Sequence, residues 1–240
     1  MPPSNQPLAG QVALVTGSSR GIGFAIARKV GRLGAAVSLC ARHSGPLEAA
    51  RRTLVEEGIS AVATQTDLTQ KEQVERLVEE TRRQLGDIDI AVNNAGIGWF
   101  GPLHEASEAD WDRVIDTNLK APFLLLRSVV PHMIRRRSGH VIQIASLAGK
   151  NAFAGGGIYC ASKWGLLGMS YAAAEDLRGY GIRTSVICPG SVLTEFSSPA
   201  GKDPNKMLQP DDVAHVVEMI LLQQTQSFIS EISIRPAQKP

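Results

Sequence analysis

The stretch VALVTGSSRGIGFAIARKVGRL, Val12–Leu33, decides how the whole sequence is read. Its first residues, Val12–Val15, are apolar and suit a short buried strand. The run Thr16, Gly17, Ser18, Ser19, Arg20, Gly21, Ile22, Gly23 follows, and Phe24–Leu33 then carries a helical pattern that stops at Gly34. Strand, glycine turn and helix in that order make a seat for an anion. The first N–H groups of a helix are unpaired, and its dipole favours negative charge there. Glycines keep side chains out of the turn, so the pyrophosphate of a dinucleotide can approach the backbone. The spacing differs from the common GxGxxG fingerprint, and position carries the reading: the turn lies after the first strand and before the first helix.

Outward from this stretch the alternation continues nearly to the end of the chain. Apolar runs at Val12–Val15, Ala36–Ala41, Ala61–Thr66, Ile88–Val92, His140–Ser146, Arg183–Cys188 and Phe228–Ile234 read as strands. Helical patterns cover Phe24–Leu33, Leu47–Glu57, Gln70–Leu85, Ala109–Arg136, Ile158–Tyr180 and Asp211–Leu222. Gly34, Gly58, Gly86, Gly139 and Gly181 follow the first five as C-terminal caps. This order predicts an α/β fold: a Rossmann-type, doubly wound domain with a central, mainly parallel sheet of seven strands and helices on both faces. Residues 10–235 are expected to form one dinucleotide-binding and catalytic domain, with residues 1–9 and 236–240 as flexible ends.

The end of the second strand indicates which dinucleotide. An acid about 20 residues after the glycines usually holds the ribose 2′-hydroxyl of NAD. Here Ala41 stands in that place and Arg42 follows. A carboxylate would repel a 2′-phosphate, whereas the guanidiniums of Arg42 and Arg20 would bind it. NADP(H) is therefore expected over NAD(H). Asp67 and Leu68, after strand three, are placed to flank an adenine ring. Asn94, Ala95 and Gly96, after strand four, pass beside the cofactor; Asn94 suits a bracing role equally well.

Further along, Tyr159 and Lys163 are four residues apart and share one face of a helix. Reducing a ketone takes a hydride on carbon and a proton on the developing alkoxide, and a tyrosine can give that proton. A free phenol titrates near ~10. Bringing it toward neutrality takes about 3–4 kcal/mol, and an ammonium about 4 Å away supplies that much at an effective dielectric of about 20. On charge alone, Lys163 is sufficient to activate Tyr159.

TGSSRGIG, NNAG at Asn93–Gly96, Asn118 in DTNLKAP, Ser146 in QIASLAG, YCASK at Tyr159–Lys163 and CPG at Cys188–Gly190 fall in order and at typical intervals. With these motifs the sequence resembles the short-chain dehydrogenase/reductases, from about residue 9 to about residue 235. The resemblance implies a catalytic tetrad of Asn118, Ser146, Tyr159 and Lys163. Ser146 would donate to the substrate oxygen and Lys163 would also bind the nicotinamide ribose. Asn118 would hold a helix irregularity and a water leading from Lys163 to solvent. Cofactor contacts would include Gly17, Ser19, Arg20, Gly21, Ile22, Gly23, Tyr159 and Lys163. After Pro189 and Gly190, Val192 would take the carboxamide through its backbone, and Thr194 would contact a phosphate.

Within the family the chain looks most like the β-ketoacyl-acyl-carrier-protein reductases and related carbonyl reductases. Its ending, SEISIRPAQKP, departs from their glycine-rich tail and is similar instead to 3-hydroxy acid or serine dehydrogenases. The leading expectation is an NADP(H)-dependent enzyme interconverting a ketone, such as a 3-oxoacyl or other β-keto substrate, and a secondary alcohol. The alternatives are an NAD(P)-dependent 3-hydroxy acid, serine or polyol dehydrogenase and a non-catalytic dinucleotide sensor. Pocket walls are expected at Trp99, Phe100, Phe153 and Phe196, with a short lid at Ser197–Asn205.

Composition narrows the partners. The formal charge of +2 is the small difference between 25 basic and 23 acidic residues, which gives no reason to invoke nucleic acid or a membrane surface. Arg135–Arg137 suggests either an acidic carrier protein or an ordinary solvated helix end. Cys40, Cys160 and Cys188 are few, odd in number and without metal spacing, so a reducing, cytoplasmic setting is expected. His104, His132 and His215 also lack metal spacing, and no metal is expected. Leu166, Leu167, Met169 and Tyr171, beside small residues, suit packing against a twin helix in a homodimer or homotetramer.

Overall fold

The computed structural model describes residues 6–196 and 203–240. Seven strands, β1 (Val12–Thr16), β2 (Ala36–Ala41), β3 (Ala61–Gln65), β4 (Ile90–Asn93), β5 (Gly139–Ile144), β6 (Ile182–Pro189) and β7 (Glu231–Ile234), form one sheet in the order β3-β2-β1-β4-β5-β6-β7. Every pairing between them is parallel, so the sheet expected as mainly parallel is parallel throughout. A strand buried on both faces shows no alternation, which is why VALVT reads as an unbroken run and every residue of β1 is buried.

Between the strands lie α1 (Gly21–Arg32), α2 (Ser44–Glu56), α3 (Lys71–Leu85), α4 (Glu108–Ile115), α5 (Ala121–Arg136), α6 (Gly157–Arg178) and α7 (Pro210–Leu221). Ile26 and Val30 of α1, Leu54 of α2 and Val217 of α7 cover one face together with Val15 and Leu39 of the sheet. Leu77 of α3, Leu125 and Met133 of α5 and Leu177 of α6 cover the other, against Leu14 and Val141. Each large apolar side chain buried in this way contributes about 1.5–3 kcal/mol. The chain winds from β1 out to β3, then returns to set β4 on the other side of β1, with Val15 opposite Val92. That reversal opens a crevice beyond the carboxyl ends of β1 and β4, the place where open α/β sheets bind ligands.

The helix expected over Ala109–Arg136 is broken. Between α4 and α5 the residues Asp116–Lys120 form a π-helical turn, and the Ala121 N–H reaches back to the Asp116 carbonyl. Pro122 explains part of this break: it has no N–H to give the carbonyl four residues earlier, that of Asn118. Gly139 is not a cap. Arg137 takes the left-handed position after α5 with φ of 52°, and Gly139 opens β5, where a Cβ would press into the Met133 sulfur.

Packing corrects one further expectation and refines another. Leu8, placed in a flexible end, is 3% exposed, and its N–H donates to the Leu33 carbonyl at 2.9 Å. Arg136 is taken up internally by Asp89 at 2.8 Å and by the Ile88 carbonyl at 2.6 Å. Arg137 donates to the Gly179 carbonyl at 3.0 Å. Arg136 thus ties the end of α5 to the base of the sheet, while Arg135 and Arg137 stay exposed as a solvated helix end. The three cysteines are free and buried. Among the described residues no helix is long and apolar enough to cross a membrane. Residues 197–202 of the expected lid, and residues 1–5, lie outside the described residues.

Candidate active site

The crevice is shaped first by backbone. Gly17 and Gly21 hold φ of 62° and 57°, a region costly for a side chain. A Cβ on Gly17 would stand 2.9 Å from the Ala95 Cα, and one on Gly23 would press into the Gly17 carbonyl and the Asn94 amide. Thr16 fixes the facing loop: its Oγ1 donates to the Val92 carbonyl and accepts the N–H groups of Asn94 and Ala95 at 2.9 and 3.1 Å. The Asn94 Nδ2 donates to the carbonyls of Thr16 and Gly17 at 2.9 and 3.2 Å, so its side chain braces the turn. At the start of α1 no side chain caps the helix and no acid occupies its first turn. Its first N–H groups therefore have no carboxylate of their own helix to compete with an arriving pyrophosphate.

This side of the crevice is a cleft of about 810 Å³. Gly17, Ser19, Arg20, Gly21 and Ile22 line it from the turn, Arg42 from the end of β2, and Asp67 and Leu68 from the end of β3. Asn94, Ala95, Gly96, Tyr159, Lys163 and Thr194 also line it, whereas Gly23 packs beneath the turn and Pro189, Gly190 and Val192 of the expected set line the neighbouring cleft instead. Arg42 is exposed at the rim and has no ion-pair partner among the described residues. Arg20 differs from expectation: its guanidinium is paired with Glu195 across the cleft rather than turned toward Arg42. The Asp67 carboxylate accepts the N–H and hydroxyl of Thr69, which shapes the entry to α3.

Asn118 sits in the π-helical turn with its side chain fully buried. Its Oδ1 accepts the Ile97 N–H at 2.8 Å, and its Nδ2 donates to the Ile97 carbonyl at 2.8 Å and the Ser162 hydroxyl at 3.0 Å. One amide thereby joins the loop after β4, the helix break and α6. Ser162, which sequence reasoning did not single out, completes that junction. A Cβ on Gly96 would lie 3.3 Å from the Asn118 Oδ1 and 3.6 Å from the Lys163 Nζ, so a bare backbone there lets the two approach.

Ser146 ends the extended run after β5, and its Oγ accepts the Ala148 N–H at 3.1 Å. Accepting that bond leaves the hydroxyl proton free to donate elsewhere. Tyr159 and Lys163 occupy successive turns near the start of α6, with 8% and 4% exposure. The Lys163 Nζ donates to the Ile144 carbonyl at 3.0 Å and lies 5.9 Å from the centre of the Tyr159 ring. Burial reverses the balance expected from charge alone. It pushes the Tyr159 phenol up to about 12, with the neighbouring Ser146 hydroxyl opposing. It also pushes the Lys163 ammonium down to about 8. In the chain by itself, desolvation outweighs the attraction between ammonium and phenolate.

Tyr159 also lines a second cleft, of about 900 Å³, beside Ser146, Pro189, Gly190 and Val192. Val192 makes an isolated parallel bridge with Leu208. That bridge uses the Leu193 N–H and the Ser191 carbonyl, and takes neither polar group of Val192 itself. Phe100 and Phe196 flank the Tyr159 ring with centroids 5.6 Å away, and Phe153 lies 6.3 Å from Phe100. Trp99 stays outside both clefts and folds toward Gly101. The segment Arg235–Pro240, most of it expected as a frayed end, runs along the second cleft.

A family model described as short chain dehydrogenase matches residues 11–205. Glycine betaine reductase ATRR of Emericella nidulans is 36% identical over an alignment that covers 98% of this chain and 19% of that protein. The chain thus spans about a fifth of that relative's length. Among solved structures, a metagenomic short-chain oxidoreductase in complex with NADP is 47% identical with a TM-score of 0.86, covering 97% of this chain and 99% of that one. An alcohol dehydrogenase from the archaeon Thermococcus sibiricus, complexed with 5-hydroxy-NADP, is 30% identical with a TM-score of 0.88, covering 96% and 98%. The family match takes in the glycine turn, the helix break and both turns of α6 that carry Tyr159 and Lys163, and the chain belongs to the short-chain dehydrogenase family of oxidoreductases.

Proposed function

We propose that the chain interconverts a ketone and a secondary alcohol with NADP(H), and that Tyr159 is its proton donor. One observation carries this reading: Tyr159 stands where the two clefts meet, with Lys163 on the nucleotide side and Ser146 on the other. The residues fit a dinucleotide. The glycine turn and the uncapped start of α1 would hold its phosphates, and the Val192 backbone its carboxamide. Ala41 offers no carboxylate to repel a 2′-phosphate and Arg42 offers a cation, and the solved relatives with NADP and 5-hydroxy-NADP support the same choice.

When bound, the nicotinamide supplies the hydride, or accepts it in the reverse direction. Tyr159 donates its proton to the oxygen that becomes the alcohol. Ser146 donates a hydrogen bond to that oxygen, from a hydroxyl oriented by the Ala148 N–H. Lys163, 5.9 Å from the centre of the Tyr159 ring on the nucleotide side, would supply positive charge near the phenol and would hold the nicotinamide ribose. Asn118 positions the loop after β4 and α6 relative to each other. A 3-oxoacyl or other β-keto compound suits the second cleft. The exposed Phe123, Trp164 and Tyr171 on α5 and α6 support assembly through these helices into a homodimer or homotetramer.

The test is a panel of ketones, β-keto esters and β-ketoacyl thioesters followed by NADPH oxidation. Turnover of at least one class is expected. Tyr159→Phe should lower kcat by about 10²–10⁴-fold while retaining NADPH affinity. The raised phenol also sets a pH signature. Tyr159 stays protonated through neutrality, so reduction needs no prior ionisation, whereas alcohol oxidation must remove that proton. Oxidation should therefore rise at least about tenfold from about pH 7 to about pH 9. A flat oxidation profile, or a Tyr159→Phe variant that keeps its turnover, would overturn the assignment.

A further inference from the structure

We propose that the segment Arg235–Pro240 is the specificity wall of the second cleft, and that Arg235 and Lys239 select carbonyl substrates bearing a carboxylate. This rests on the oxidoreductase reading and names the substrate class of the same site. The cleft is mostly apolar, with Phe100, Leu147, Phe153 and Val192 around Ser146 and Tyr159. Every residue from Arg235 to Pro240 lines it, and Arg235 and Lys239 are its only charged residues among the described residues. Among the described residues no Asp or Glu side chain lines it.

Neither cation has an ion-pair partner among the described residues. The contrast with Lys150 is instructive. Lys150 follows the turn after Ser146, yet it is bound to Glu231, whose other carboxylate oxygen accepts from the Tyr171 hydroxyl. That charge is cancelled within the scaffold, while Arg235 and Lys239 border the cleft as exposed residues with no ion-pair partner among the described residues. The start of the segment is anchored. The Gly190 N–H donates to the Ile234 carbonyl at 2.8 Å, and a Cβ on Gly190 would stand 3.0 Å from the Pro236 ring. Pro236 and Pro240 also restrict the backbone on either side of Lys239.

Two cations without an Asp or Glu partner, at the edge of a mostly apolar cleft, raise the local concentration of anions and give a carboxylate a charge-assisted partner. The guanidinium can grip both oxygens of one carboxylate, and the ammonium adds a second point of attraction. A neutral ester of the same size fills the same volume but gains neither contact. The selected substrates are therefore oxo acids, and the products hydroxy acids. The bond changes stay those of the parent reaction: hydride adds to the carbonyl carbon and the Tyr159 proton to its oxygen.

The test pairs 3-oxobutanoate, 4-oxopentanoate and 5-oxohexanoate with their methyl esters, so that the distance from carbonyl to charge is sampled. For at least one length, kcat/KM for the acid should exceed that for its ester by about tenfold. In the double variant Arg235→Gln, Lys239→Gln that ratio should fall at least about fivefold, through KM rather than kcat. High salt should erode the preference in the native chain. A native enzyme that reduces esters as well as acids, or a ratio the double variant leaves in place, overturns the inference and leaves the oxidoreductase reading standing. If the native chain reduces no ketone at all, the parent reading fails. The anion site is then decided by calorimetry with 4-oxopentanoate, where equal affinity in native and double-variant protein refutes it.

Discussion

The two sides of the crevice are held in place by different means. The nucleotide side is made of backbone under constraint: Gly17 against Ala95, Gly23 against the Gly17 carbonyl, and Thr16 gathering three main-chain groups of the facing strand and loop. The other side is made of side chains on loops. Phe100 and Phe153 are 55% and 49% exposed, and the segment Arg235–Pro240 contributes its wall outside any helix or strand. Close backbone packing tolerates almost no substitution, while an open wall of side chains can be exchanged without disturbing the sheet. One fold can thus keep a cofactor while its substrates change.

The largest expected effect falls on the constrained side. Gly23→Ala forces a methyl group into the Gly17 carbonyl and the Asn94 amide. Overpacking of this kind costs about 1–3 kcal/mol. NADPH affinity should fall by about tenfold or more, with a lower Tm. Calorimetric titration and thermal melts check both, and an unchanged affinity would break the contrast at its rigid end. A smaller effect is expected at the rim. Arg42→Ala should reduce the preference for NADPH over NADH by about tenfold, equivalent to about 1.4 kcal/mol. The two dissociation constants measure this, and an equal loss for both cofactors would show that Arg42 does not read the 2′-phosphate. The smallest is on the open side. Phe153→Ala should change KM a few-fold while stability stays within about 0.5 kcal/mol. A large drop in Tm would make Phe153 part of the core and erase the contrast.

The same division governs what the sequence reveals. Positions that need a bare backbone, or a fixed step along a helix, leave residue types at fixed spacing. The glycine turn at Gly17–Gly23 and the pair Tyr159 and Lys163 were therefore legible, and with them the order of strands and helices. The helix break around Asn118 leaves a fainter mark in the chain itself, Pro122 with its missing N–H inside a long helical pattern, and the family resemblance rather than the pattern points to an irregularity there. Pairings that depend on where distant loops meet left none. Nothing near Arg20 announces Glu195, and nothing in a terminal run rich in proline announces that it borders Ser146 and Tyr159. The acidity of Tyr159 is illegible for a related reason. Charge and spacing can be read along the chain, but the burial that drives both Tyr159 and Lys163 toward their neutral forms arises only from the packed crevice.

The order of the sheet has a consequence for how the molecule comes into being. β1 meets β4 only after β2 and β3 have been made, with Leu14 set opposite Ala91. A chain part-way through synthesis can hold three strands and its glycine turn yet have no crevice, because the opposite bank has not been translated. Joining segments so far apart carries a chain-closure cost that local helices escape, and such pairings form slowly. Nucleotide capture therefore belongs to the finished polypeptide, and a nascent fragment ending before β4 would be a sheet edge in need of shelter rather than a weak enzyme.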